Sequence, residues 1–274
     1  MKRRTYITFS HGPENDALAE VLQKSISEFS QYGLRIYRRH DFEEDYGIDS
    51  DPQFWSSGKG YVYKILSCMK AMEEYDEAVW IDTDCVVTSY IDKIWFEAWR
   101  ISEYPLLPRS RFYVFGRDLG ANSEIISSDN PHFLRKGKER LGVRSASMRP
   151  FYSQACFMLF SNKCIFFFKE ILSLFNNFEH ECFPNGDETM INCLMWRQGF
   201  EDSLGDIFIC SYFFGYHSNE IASMTNREQF ANFRYRPAHN IFENILFYHG
   251  SKSTDVAESI LSTLKETQGK YSNI

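Results

Sequence analysis

Four apolar residues, Ala78-Val79-Trp80-Ile81, run without a break into Asp82-Thr83-Asp84. An apolar run of this length predicts a buried strand, and the two aspartates predict a turn at its end. In an open parallel sheet, ligands bind beyond the carboxyl ends of the strands. Two carboxylates at i and i+2 in that place can turn toward one cation. Oxygen ligands suit the hard ions magnesium and manganese, which keep open positions for phosphate oxygens. Such an ion bridges protein to diphosphate and neutralises charge on a phosphate leaving group. A solvated acidic turn would show the same D-x-D spelling, but the buried strand before it argues against that reading.

The chain around this strand reads as a mostly parallel α/β protein. Thr5–Phe9 is β-prone and breaks at Ser10-His11-Gly12-Pro13. A helix is predicted over Asn15–Phe29, with Ala17, Leu18, Val21, Leu22, Ser25, Ile26 and Phe29 on one face. Gly33 stops it, and Leu34–Tyr37 reads as the second strand. Strand, helix and strand at this spacing predict a βαβ opening and a Rossmann-like, largely parallel central sheet flanked by helices. Asp41–Gly60 is acidic and reads as a loop. Tyr61–Tyr75 carries Ile65, Leu66, Met69 and Met72 on one helical face. Further strands are predicted at Phe112–Phe115, Cys156–Phe160 and Ile207–Cys210. Further helices are predicted at Lys163–Phe178, Glu188–Arg197 and Val256–Glu266. With no repeat and no linker, residues 1–274 read as one domain.

Two more segments carry chemistry. Gly186-Asp187-Glu188 opens a predicted helix. Helix capping alone would explain both carboxylates; the alternative is that one faces a reacting sugar, as a base or as a partner for positive charge. Tyr248-His249-Gly250-Ser251-Lys252 follows the apolar run Ile245-Leu246-Phe247. His249 at a strand end offers a third metal ligand, Gly250 allows close backbone approach, and Lys252 offers a point charge for phosphate. Tyr32, Trp55, Tyr61 and the aromatic stretch Tyr212–His217 can pack loops or stack an acceptor sugar.

Taken together and in order, these sites resemble glycosyltransferase family eight, the group of glycogenin and the lipopolysaccharide galactosyltransferases. The resemblance rests on Tyr63-Lys64-Ile65-Leu66 before Trp80-Ile81-Asp82-Thr83-Asp84, then Gly186-Asp187-Glu188, then His249-Gly250-Ser251-Lys252. It spans about Thr5 to Lys252 and implies the GT-A type of α/β fold. It implies that Asp82, Asp84 and His249 hold Mn2+ or Mg2+, and that Lys64 and Lys252 touch the donor phosphates. Thr8, Phe9 and Ser10 would lie against the base and ribose, and Thr83 and Gly250 would line the same donor site. Asp187 and Glu188 would face the transferred sugar, with Gln154 as a further sugar contact. The implied activity is sugar transfer from a nucleotide-diphosphate sugar, a UDP-sugar by the same resemblance, to a glycan, glycolipid or protein acceptor. The family retains anomeric configuration. Glu188 stands where the family has glutamine, and a carboxylate there offers the base for an inverting displacement instead.

Charge and cysteine usage narrow the setting. Lysine plus arginine number 30 against 37 acidic residues, a formal net charge of −7. That balance argues against a nucleic-acid partner. Arg135, Lys136, Lys138, Arg140 and Arg144 cluster, as a solvated helix face or as a site for an anionic acceptor or membrane surface. Seven scattered cysteines with no C-x-x-C pair read as reduced thiols, and no long apolar stretch follows Met1-Lys2-Arg3-Arg4. A cytoplasmic protein, with peripheral membrane contact at most, is the expectation.

Three rivals share parts of the pattern. A nucleotidyltransferase of a sugar phosphate would want a glycine-rich basic loop after the first strand, where this chain has Ser10-His11-Gly12-Pro13-Glu14-Asn15. An aspartyl phosphatase would want D-x-D on the first strand. A non-catalytic nucleotide-sugar binding module would not need Asp82, Asp84, Asp187 and His249 all in place.

Overall fold

Three of the four strands of the central sheet form where successive side chains are buried on both faces. The computed structural model describes residues 2–43, 59–107, 155–176, 187–197, 209–212, 245–251 and 253–268. Its first sheet holds β1 (Arg4–Phe9), β2 (Leu34–Tyr37), β3 (Glu77–Ile81) and β5 (Phe157–Ser161) in the order β2-β1-β3-β5. β1 runs parallel to β2 and β3, and β5 closes the edge antiparallel to β3. Every residue of β3 and β5 is buried. The α/β class with a mostly parallel central sheet, expected from the sequence, is what the chain adopts.

Two crossover helices shape the layers. α1 (Pro13–Phe29) links β1 to β2, and α2 (Val62–Glu74) lies between β2 and β3. These crossovers run in opposite directions along the sheet, so right-handed connection places the helices on opposite faces. Their neighbours agree: α1 packs on β4 (Val86–Val87) and α5 (Thr254–Gln268), whereas α2 packs on α3 (Ile165–Asn176). α1 starts at Pro13, two residues before the expected Asn15, because proline suits a first helical turn and Gly12, at φ 82°, turns the chain into it. Its buried face includes Leu18, Val21, Leu22, Ser25 and Ile26, as the periodicity predicts.

A second sheet has the order β4-β7-β6, with β6 (Ile209–Tyr212) parallel and β4 antiparallel to β7 (Ile245–His249). The sheets share a core in which the rings of Phe157 and Phe247 stack at 4.5 Å. The expected helix over Lys163–Phe178 divides into a 3₁₀ turn, Asn162–Cys164, and α3, because the Ser161 side chain accepts from the Lys163 N–H and starts the turn early. A 3₁₀ run, Ile91–Arg100, was not expected; it buries Ile91, Ile94, Trp95 and Ala98. α4 (Asp187–Arg197) lies at the expected helix, and α5 covers Val256–Glu266. The predicted strand at Phe112–Phe115, the basic cluster Arg135–Arg144, Trp55 and residues 213–217 lie outside the described residues. Cys68, Cys85, Cys156, Cys164 and Cys193 are buried and take part in no disulfide, and no described helix is long and apolar enough to cross a membrane.

The Phe157–Phe247 stack is where the two sheets meet. Phe157→Ala should lower stability by about 3–5 kcal/mol, the usual cost of deleting a buried ring. Phe96→Ala, at a site 77% exposed, should stay within about 0.5 kcal/mol. Urea denaturation of both variants checks the contrast.

Candidate metal centre

The site begins where β3 ends. The Asp82 N–H donates to the Cys156 carbonyl at 2.9 Å, extending the β3–β5 ladder by one residue. The Cys85 N–H then donates to the Asp82 carbonyl at 3.1 Å and closes a turn that holds Thr83 and Asp84. The chain leaves this turn as β4, which pairs with β7 through Val86↔Tyr248 and Val87↔Phe247. That register sets His249, one residue past Tyr248, beside the D-x-D turn. Gly250, at φ 90°, then bends the chain in a conformation other residues avoid. The bend lets the Ser251 N–H donate to the Asp84 carbonyl at 3.0 Å. Backbone bonds therefore tie the end of β7 to the turn after β3.

Three ligand-type side chains meet there. One atom each from Asp82, Asp84 and His249 lies within 4.8 Å of the others. His249 Nε2 is 3.5 Å from Asp84 Oδ1 and 3.8 Å from Asp82 Oδ2. Ligand bonds of about 2.0–2.1 Å around an octahedral cation put ligand atoms roughly 3–4 Å apart, so these separations suit one small ion. The Asp84 side chain keeps an open edge, but its Oδ1 is buried and no hydrogen-bond donor reaches it. Burial, and then the charge of Asp82, hold the Asp84 carboxyl above its ordinary pKa against the pull of His249. A cation would satisfy that oxygen. The residues present thus fit Mg2+ or Mn2+.

Beside this centre lies a buried ion cluster. Lys64, from α2, places Nζ 2.8 Å from Asp187 Oδ2 and 3.2 Å from Asp82 Oδ1. Nζ also donates to the Ala155 carbonyl at 3.1 Å. The contact with Asp187 is an ion pair whose geometry at Oδ2 falls short of a directed hydrogen bond. Burial opposes the Lys64 charge, yet Asp187 and Asp82 outweigh it and hold the ammonium well above its ordinary pKa. Burial pushes the Asp187 carboxyl up, and Lys64 pulls it back only in part. Glu188 is half-buried, and its Oε2 accepts from the Ala155 N–H at 3.3 Å. Burial, then the charge of Asp187, pushes the nearby Tyr61 hydroxyl up to about 12.

The structure brings Asp82, Thr83, Asp84, Lys64, Asp187, Glu188, His249 and Gly250 to one end of the central sheet. Two of them pair with each other. Lys64, expected on donor phosphates, is occupied by Asp187, Asp82 and Ala155. Asp187, offered as a helix cap, is 2% exposed and paired with Lys64. Thr8, Phe9 and Ser10 lie at the carboxyl end of β1 with buried side chains; Phe9 stacks on Tyr63 at 4.8 Å, and Ser10 donates to Asp16. Gln154, Lys252 and Gly186 lie outside the described residues. Sequence reasoning missed Trp80, whose Nε1–H donates to Asp82 Oδ1 at 2.6 Å. The signal was spacing, since residues two apart on a strand share a face.

No protein-family model and no curated protein matches the chain. Its structure is similar to the crystal structure of a glycosyltransferase involved in the glycosylation of the major capsid of PBCV-1. The two are 11% identical, the match covers 94% of this chain and 99% of that one, and the TM-score is 0.46. The geometry of the site, not this likeness, carries the functional proposal.

Two outcomes follow from the buried charges. A carboxyl with a higher pKa folded than unfolded binds its proton more tightly when folded, so its ionisation costs stability. That cost is present above the folded pKa and fades as pH falls through it. Asp84→Asn should therefore raise the melting temperature of the metal-free protein at neutral pH, with a smaller gain in acid. Melting curves in chelator across pH read this directly. Lys64→Met leaves Asp187 buried without its partner and should cost about 3–5 kcal/mol. Lys64→Met with Asp187→Leu should recover much of that loss in the same denaturation experiment.

Proposed function

We propose that the chain is a metal-dependent glycosyltransferase of the GT-A type, a single domain over residues 1–274, that takes a nucleotide-diphosphate sugar as donor. The observation that carries this reading is the meeting of Asp82, Asp84 and His249 at the carboxyl end of β3, next to the Lys64–Asp187 pair. Asp82, Asp84 and His249 would hold Mg2+ or Mn2+. The bound ion supplies charge neutralisation for a departing diphosphate.

The chain's own groups divide the remaining work. Lys64 offsets the charge of Asp187 and Asp82, which limits mutual repulsion where an anionic donor must approach. Glu188 is the more accessible of the two adjacent carboxylates, so it is better placed than Asp187 to meet a sugar. There it orients a hydroxyl, takes its proton, or stabilises positive charge on the anomeric carbon. At the end of β1 the side chains of Thr8, Phe9 and Ser10 are turned inward. Backbone groups are therefore what that edge offers a base or ribose, and Thr83 and Gly250 flank the metal ligands. The uridine base, retention of configuration, and contacts from Gln154 and Lys252 rest on the family resemblance. The acceptor is a glycan, a glycolipid or a protein.

Melting temperature in the presence of nucleoside diphosphates and nucleotide sugars, with and without Mn2+, tests the proposal. A ligand at a hundred times its Kd that binds only the native state adds about 2.7 kcal/mol. We expect one nucleoside diphosphate to stabilise the protein only with metal, and Asp84→Ala to abolish the shift. No shift with any nucleotide at saturation would sink the transferase reading.

A further inference from the structure

We infer that Trp80 is a positioning residue that makes Asp82 a one-oxygen metal ligand and so biases the centre toward small octahedral cations. The inference rests on the metal reading proposed above. Trp80 Nε1 lies 2.6 Å from Asp82 Oδ1, and Lys64 Nζ lies 3.2 Å from the same oxygen. A hydrogen bond from the indole and an ion pair with the ammonium thus hold Oδ1, while Oδ2 faces His249 Nε2 at 3.8 Å. The indole is itself fixed. Trp80 is 3% exposed, its backbone pairs with Ile7 and Met158, and the Lys64 ammonium lies over its ring at 5.3 Å. An indole N–H only donates, and a bond to a carboxylate is strong, so this contact sets which way the carboxyl plane turns.

The consequence lies in which ion fits. With the indole N–H and the ammonium both set against Oδ1, the two lone-pair sites of that oxygen are taken up, and Oδ2 is left to meet a cation alone. Mg2+ and Mn2+ accept single oxygens in an octahedron, whereas Ca2+ gathers six to eight oxygens and often takes a carboxylate through both. Asp84 has no such restraint, since no donor reaches its Oδ1. The selectivity therefore belongs to Asp82 and to the residue two positions before it.

The test is Mn2+ binding by electron paramagnetic resonance, with Ca2+ as competitor and no nucleotide present. Wild type, Trp80→Phe and Asp84→Ala are compared, with melting curves as a fold control. Groups that orient a metal ligand usually change affinity by about 10–100-fold. Trp80→Phe should raise the Mn2+ Kd by about ten-fold or more and narrow the preference for Mn2+ over Ca2+; Asp84→Ala should remove binding. An unchanged Mn2+ Kd in folded Trp80→Phe overturns the inference, as does an equal loss for both ions, the mark of a merely structural role. Absence of Mn2+ binding in folded wild type removes the metal reading itself, and the positioning role with it. If Trp80→Phe does not fold, replacing the indole by benzothiophene keeps the ring shape, deletes the N–H and gives the same readout.

Discussion

The ammonium of Lys64 joins four separate segments of the chain at one point. It comes from α2, touches Asp82 at the end of β3, Asp187 at the start of α4, and the carbonyl of Ala155 just before β5. Removing three charges from water is costly, and such a cluster persists only when each charge finds its partner. The cluster therefore acts less as a source of stability than as a geometric condition. Only one arrangement of α2, β3, α4 and the approach to β5 leaves none of these groups stranded. Ala155 shows how tight the condition is, since its carbonyl goes to Lys64 and its N–H to Glu188.

The candidate metal ligands are arranged by different means. Asp82 and Asp84 sit two residues apart in a turn closed by backbone bonds, and His249 reaches them through the β4–β7 register. Ligand position is thus set by main-chain hydrogen bonds, and ligand orientation by side chains such as Trp80 and Lys64. The two aspartates end up unlike each other. Asp82 has a hydrogen bond and an ion pair on one oxygen, whereas Asp84 has a buried oxygen that no hydrogen-bond donor reaches.

Much of this was legible in the sequence where the pattern is local. The β1-α1-β2 opening, the face of α1 and the buried β3 all follow from periodicity. Asp82, Asp84 and His249 were recognisable by type, and the D-x-D turn by the strand before it. Their meeting depends on the two-residue strand β4 pairing with β7, a contact too short and too distant in sequence to leave a local trace. The partners of Lys64 were hidden for a similar reason, because a lysine on a helix reads as a solvent or phosphate group until its burial is known. Trp80 read as one more apolar strand residue, since an indole counts as apolar in a pattern and as a donor only in a structure. The 3₁₀ run at Ile91–Arg100 did leave a local trace, since its buried Ile91, Ile94, Trp95 and Ala98 fall at i, i+3, i+4 and i+7, the spacing of an amphipathic helix.

The pairing of β4 with β7 also sets an order of events. Two of the three ligand residues belong to the first third of the chain and the third lies near its end. A chain growing from its amino terminus holds both aspartates long before it has His249 to place beside them. Contacts so far apart in sequence close late, because the loop between them costs entropy before any bond repays it. The half-made centre is two neighbouring carboxylates with no imidazole, one candidate ligand short of the full set. A cation held by all three side chains would therefore have to wait until the segment around His249 has reached the turn after β3.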